Sequence, residues 1–203
     1  MSNDPLFQSI FGKPWSDLPP VMRQHYAVRA DSQDEVVVDG VMNIRRGRIM
    51  RFLSPILRLL GSLPSHDGQD IPVTVRFYSG KNSHSFHFDR LFKFPDKDPV
   101  RFHSCLEPVT GHEVIEFMPG GIGWRAHYSA EGDKVFLRHI GYVWRIGSLR
   151  LPIPLRWILG AGQAEEEALS DDRFRMWMSI THPLFGESYR YDGTFQITSV
   201  TYA

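Results

Sequence analysis

Residues 40–64 read GVMNIRRGRIMRFLSPILRLLGSLP. The stretch carries five arginines and no acid. Among them stand Ile49, Met50, Phe52, Leu53, Ile56, Leu57, Leu59 and Leu60, too many apolar side chains for an ordinary surface helix. On a helix over 48–60, Arg48, Arg51 and Arg58 share a narrow stripe with Pro55, and the apolar face is wide. Pro55 predicts a kink or a restart with Ser54 as a new N-cap. Gly61 followed by Pro64 predicts the stop. Ahead of the helix, Glu35 to Ile44 is β-branched and loosely alternating, hence a strand. Gly40 within it predicts a bulge or a close backbone approach.

Beyond residue 64 the apolar period changes from 3.6 to 2. Ile71, Val73, Val75 and Phe77 alternate with Pro72, Thr74, Arg76 and Tyr78. Gly80-Lys81-Asn82 turns the chain, and His84, Phe86 and Phe88 continue as the partner strand. Further strands read at 99–107, 112–119, 122–130, 134–146, 162–170, 172–182 and 187–199. Short turns at Thr110-Gly111, Gly120-Gly121, Glu131-Gly132-Asp133 and Asp171-Asp172 join them, which predicts hairpins and an antiparallel sheet. Residues 151–160 hold Pro152 and Pro154 and cannot form a central strand. They are expected to leave the sheet, make a helical turn and return. Before residue 30, two short helices are expected at 5–12 and 17–28, split at Lys13-Pro14.

The fold expected is α+β. A strongly curved antiparallel β-sheet of about eight or nine strands, a barrel or half-barrel, packs on one central apolar helix, with short N-terminal helices. The chain is read as a single domain over 1–203, with 1–30 as a helical appendage on the sheet. Its 203 residues suit one domain. Aromatics at 13% favour sheets and apolar pockets over helical bundles.

Twenty-three basic residues balance 23 acidic ones, which argues against a dedicated nucleic-acid binder. Cys105 is the single cysteine, so no intramolecular disulfide forms. The N-terminus shows no signal-peptide pattern and no apolar run reaches the ~20 residues of a membrane span, so the expectation is cytoplasmic, with no transmembrane segment. Arg45, Arg48, Arg51 and Arg58 raise a peripheral membrane contact. Five basic residues gain about 5 kcal/mol at an anionic surface. Eight buried apolar side chains gain roughly 1.5–3 kcal/mol each. Packing therefore ranks first for this helix and lipid contact behind it.

No G-x-G-x-x-G, P-loop, G-x-S-x-G or H-E-x-x-H occurs. His84 and His87 face opposite sides of a strand. His103 and Cys105 share a face but lack a third ligand, so no metal site is expected. Glu113 with Glu116 straddles a strand, and no catalytic residue or cofactor emerges. The segment 134–146 is apolar on both faces. Trp124, Arg138, Tyr142 and Trp144 are the expected lining of a pocket with one fixed cation.

Several segments in order carry a resemblance. Leu18-Pro19-Pro20 comes first, then Gly40, Met42, Ile44, Arg46 and Gly47 leading into the helix. Val73, Val75 and Phe77, the loop 151–154, and His182, Pro183, Gly186, Tyr191 and Gly193 follow. The chain resembles the bacterial domain-of-unknown-function family numbered 4166 over nearly its whole length. It departs at 83–88, where relatives often have Trp-x-Arg-x-Phe. The family has no assigned activity. Similar domains occur fused behind oxidoreductase-like domains, which implies an accessory role.

Two functions are carried forward. The first is a non-catalytic binding module for an apolar or amphipathic, lipid-like small molecule, in a cavity between helix 48–60 and the sheet. The second is an interaction domain that docks an oxidoreductase, or dimerises, through Pro152, Pro154 and Trp157. An enzyme of unknown class stands third.

Overall fold

The computed structural model describes residues 4–59, 66–80 and 84–203, for 55–59 the backbone alone. Alternating apolar residues form the strands β1 (Glu35–Arg46), β2 (Gly68–Tyr78), β3 (Phe86–Phe92), β4 (Val100–Pro108), β5 (Glu113–Phe117), β6 (Ile122–Glu131), β7 (Lys134–Ile146), β8 (Leu149–Ile153), β9 (Ala161–Ala168), β10 (Arg173–His182) and β11 (Gly186–Thr201). All neighbours are antiparallel, in the order β6-β5-β4-β3-β2-β1-β11-β10-β9-β7-β8. Pairing of β6 with β7 closes ten of them into a barrel. The eleventh, β8, is an edge strand on the far half of β7, with Pro152 opposite Val143. An edge tolerates proline because one row of its backbone donors needs no partner. The chain then makes the short helix α3 (Arg156–Leu159) and returns as β9.

Two expectations are corrected. The barrel has ten strands plus one, and its helix is not central. The helix α2 (Arg48–Leu59) lies at a barrel rim, where the Gly47 amide donates to the Ser188 carbonyl (2.7 Å). Met50 is buried and Leu53 packs against the core, but Phe52 is 83% exposed. A closed barrel fills its interior with strand side chains, so a helix outside the closure has only the rim to cover. The backbone stays helical through Pro55, and Ser54 Oγ donates back to the Met50 carbonyl (3.1 Å) instead of capping a new helix. The side chains of Ile56, Leu57, Arg58 and Leu59, the Leu60–Gly61–Pro64 stop and the Lys81–Asn82 part of the first turn lie outside the described residues.

One end of the barrel interior is filled instead by the N-terminal segment. In place of the helix expected at 5–12, residues 6–10 are turns and 11–13 a bend, and Trp15–Asp17 form one 3-10 turn. The helix α1 (Pro20–His25) begins on proline, where a missing N–H costs nothing. Phe7, Phe11, Val21, Met22 and Tyr26 are buried in the main core. The Phe7 ring meets Tyr26 (5.1 Å), Phe86 (5.0 Å) and Tyr128 (5.7 Å), contacts at the starts or ends of β3 and β6.

Antiparallel hairpins distribute the connections to two ends. The plug sits at the end carrying 79–80, 84–85, 109–112, 132–133 and 169–172. The opposite end carries α2, 93–99, 118–121, the β8–α3 excursion and 183–185. This second end carries the most exposed apolar side chains, Phe52, Leu184 and Trp157.

Candidate functional site

Between the N-terminal segment and the α2 rim, the barrel interior holds a buried polar group. Register puts Arg90 of β3 opposite Val75 and Phe102, and puts Glu116 of β5 opposite Leu106 and Trp124, all on inward positions. The Arg90 guanidinium donates to Glu116 Oε1 (2.8 Å) and to Ser104 Oγ, and Ser104 Oγ donates to Glu116 (2.6 Å). It also lies against the rings of Phe88 (3.7 Å) and Phe102 (4.0 Å). A buried charge persists only when paired and hydrogen-bonded, and this one is 6% exposed. Its Nε has no partner among the described residues, and neither has the buried Tyr189 hydroxyl. Tyr191, between Ile44 and Met178, adds a second inward phenol, whose pKa burial pushes up so that it stays neutral. Tyr191, Phe88, Val100 and Met118 face the core but are only half-buried.

A second polar group sits deeper, on the plug. The Tyr26 hydroxyl donates to Glu166 Oε2 (2.8 Å), and His25 Nε2 is 3.8 Å from the same oxygen. Burial pushes the Glu166 carboxyl up to about 7, against the pull of the Tyr26 bond, and pushes His25 down to about 3. Between those values both groups are neutral, so the contact is not an ion pair.

The four expected lining residues separate. Trp124 and Tyr142 are cross-strand partners, both buried and inward. Trp124 Nε1 donates to His139 Nδ1 (3.0 Å), and the Tyr142 hydroxyl donates to the Gly160 carbonyl (3.1 Å). Arg138 is exposed on the outer face, with its cation 5.9 Å from the Phe136 ring. Trp144 lies past the rim, half-exposed, and donates to the Gly120 carbonyl (3.2 Å). A bulge explains the split. Arg125 pairs with Gly141 and Ala126 with His139, which leaves Ile140 as an extra residue. One extra residue exchanges the faces of a strand, so Phe136 and Arg138 look out while Tyr142 looks in.

Pro152, Pro154 and Trp157 are all exposed on the excursion, Trp157 at 71%. His103 and Cys105 lie on the outer side of β4, where the His103 ring stacks on His87 at 5.4 Å. Outside the barrel, Arg138, Glu165, Trp177 and Thr181 line a cleft of about 690 Å³ where β7 parts from β9.

Sequence reasoning missed Arg90, Ser104, Glu116, Tyr189 and Tyr191. Arg90 alternates in phase with Phe86, Phe88 and Phe92. A charge in phase with three phenylalanines is the signal that could have found it.

No curated protein matches the chain. Among solved structures, a crystal structure of Rv2717c from M. tuberculosis is similar at 12% identity and a TM-score of 0.46, over 90% of this chain and 100% of that one. At that distance the fold rests on the chain's own strand register. The family profile described as a domain of unknown function, DUF4166, matches residues 18–195. With that match across most of its length, the chain belongs to the DUF4166 family.

Proposed function

We propose that the protein is a binding module for an amphipathic small molecule, held in the barrel lumen with its apolar body toward the α2 rim. The observation that carries this reading is the buried Arg90–Ser104–Glu116 group, with Arg90 Nε and the Tyr189 hydroxyl unpartnered beside it. Buried donors without acceptors are uncommon in a finished core. Arg90 Nε can only donate and the Tyr189 hydroxyl can donate as well as accept, so the complementary head offers an oxygen acceptor such as a carboxylate, carbonyl or hydroxyl. Toward the rim the inward positions are apolar: Val100, Phe102, Met118, Trp124, Met178 and Leu53. Ligand pockets combine such a lining with a few fixed polar groups.

Calorimetric titration of the delipidated protein with a long-chain fatty carboxylate tests the proposal. Binding at one site is expected, weakened about tenfold or more in the paired variant Arg90→Met with Glu116→Gln, which removes the charges together. Absence of binding to wild type, or equal binding by the variant, would count against it.

A further inference from the structure

The α2 end of the barrel carries large apolar side chains in water. Phe52 of α2, Leu184 and Phe185 at the tip of the β10–β11 hairpin, and Trp157 and Ile158 of α3 are all more than half exposed. They belong to one face. Phe52 and Phe185 line a common cleft of about 630 Å³ with Arg48, Ile49 and Glu187. The His182 ring stands 4.7 Å from Phe185, and its Nε2 is 3.0 Å from the Trp157 carbonyl. Ser188 Oγ donates to the Leu159 carbonyl (3.2 Å), which ties α3 to the same hairpin.

The charge on this face is basic. Arg45, Arg48 and Arg156 are exposed and have no ion-pair partner among the described residues. The acids beside α2 are already engaged, Asp67 by Arg46 and Arg51, and Glu187 by Arg190. The nearby 93–99 connection balances Lys93 and Lys97 with Asp96 and Asp98.

We infer that this end docks on an anionic lipid bilayer, with Phe52, Phe185 and Trp157 entering the interface and Arg45, Arg48 and Arg156 meeting the headgroups. Aromatic side chains on separate tips, with unpaired arginines around them, fit the amphipathic boundary of a bilayer. A protein interface of ordinary size instead wants a continuous closely packed patch depleted in charge at its centre. The inference stands on surface residues and holds whether or not the lumen takes a ligand.

Co-sedimentation with vesicles tests it, comparing phosphatidylcholine alone with phosphatidylcholine containing phosphatidylserine. Binding is expected to the anionic vesicles and to fall as salt rises. The pair Arg45→Gln and Arg48→Gln should weaken it by roughly thirtyfold. Phe185→Ser with Trp157→Ser should weaken it on both compositions, with the unfolding midpoint unchanged because both side chains are exposed. No binding to anionic vesicles would overturn the inference, as would equal binding to neutral ones. A dimer by light scattering that Trp157→Asp dissociates, without vesicle binding, would assign the face to a second copy and overturn it too.

Discussion

Glu166 is the side chain whose burial most directly sets a measurable property. Its folded-state pKa is raised to about 7 by desolvation. The folded state therefore holds this proton more tightly than the unfolded chain does. The resulting stability is complete below the ordinary carboxylate range and is lost as pH rises to about 7. His25 works in the opposite direction. Its depressed pKa of about 3 means that stability present above the ordinary histidine value is lost as pH falls toward 3. Glu166→Gln keeps an acceptor for the Tyr26 hydroxyl and removes the buried charge. At about pH 8 it should raise unfolding free energy by up to about 3 kcal/mol. It should also flatten the alkaline side of the stability profile, as read by denaturant unfolding across pH. Gly40 is a second residue with a sharp expectation. A Cβ there would sit 2.3 Å from the Thr194 carbonyl oxygen and 2.7 Å from the Phe195 ring. Gly40→Ala should destabilise by about 1–3 kcal/mol in the same assay. This close approach was legible in the sequence, because a glycine inside a β-branched run marks a bulge or a neighbouring chain that leaves no room for a side chain.

Elements divide by how local their determinants are. Ten of the strands were legible from alternation, but β8 was not: Leu151–Ile153 stay in the sheet as an edge strand through Pro152, where residues 151–160 are expected to leave it, and only the helical turn α3 and the return follow that expectation. The bulge at Ile140 was not, since an extra residue in a both-sides-apolar strand leaves the pattern unchanged. That hidden residue is why Arg138 faces out while Tyr142 faces in. The N-terminal segment is expected as a helical appendage packed on the sheet. Its burial comes from contacts with β3, β6 and β10, which no local pattern encodes. Phe7→Ala should therefore cost about 3–5 kcal/mol, as for a fully buried aromatic. Phe52→Ala on α2 should change stability by no more than about 0.5 kcal/mol. Thermal or denaturant unfolding of the two variants side by side ranks the plug against the rim helix. An equal cost would restore the helix to the centre of the fold.

At the scale of the whole molecule, one barrel has two unlike ends. One is closed by aromatic side chains from residues 5–28, and the other bears α2, α3 and exposed aromatics. Among the described residues no helix is long and apolar enough to cross a membrane. The curved antiparallel sheet was legible and a barrel was one of its two expected forms, but the choice between barrel and half-barrel was not, because the β1–β11 and β7–β9 pairings that complete the ring are not simple hairpins and depend on tilt and shear. The buried polar group was illegible for the same reason: Arg90, Glu116 and Tyr191 come from strands distant in sequence, and only closure brings them to one lumen. The proposed function depends on that buried polar group and on the apolar side chains between it and the α2 rim. Native mass spectrometry of protein purified without detergent can detect an amphiphile held there. One co-purified molecule per chain is expected, released on activation and lost in the Arg90→Met, Glu116→Gln variant. A spectrum of the bare chain mass alone, unchanged after incubation with fatty carboxylate, would mean that the lumen receives no amphiphile.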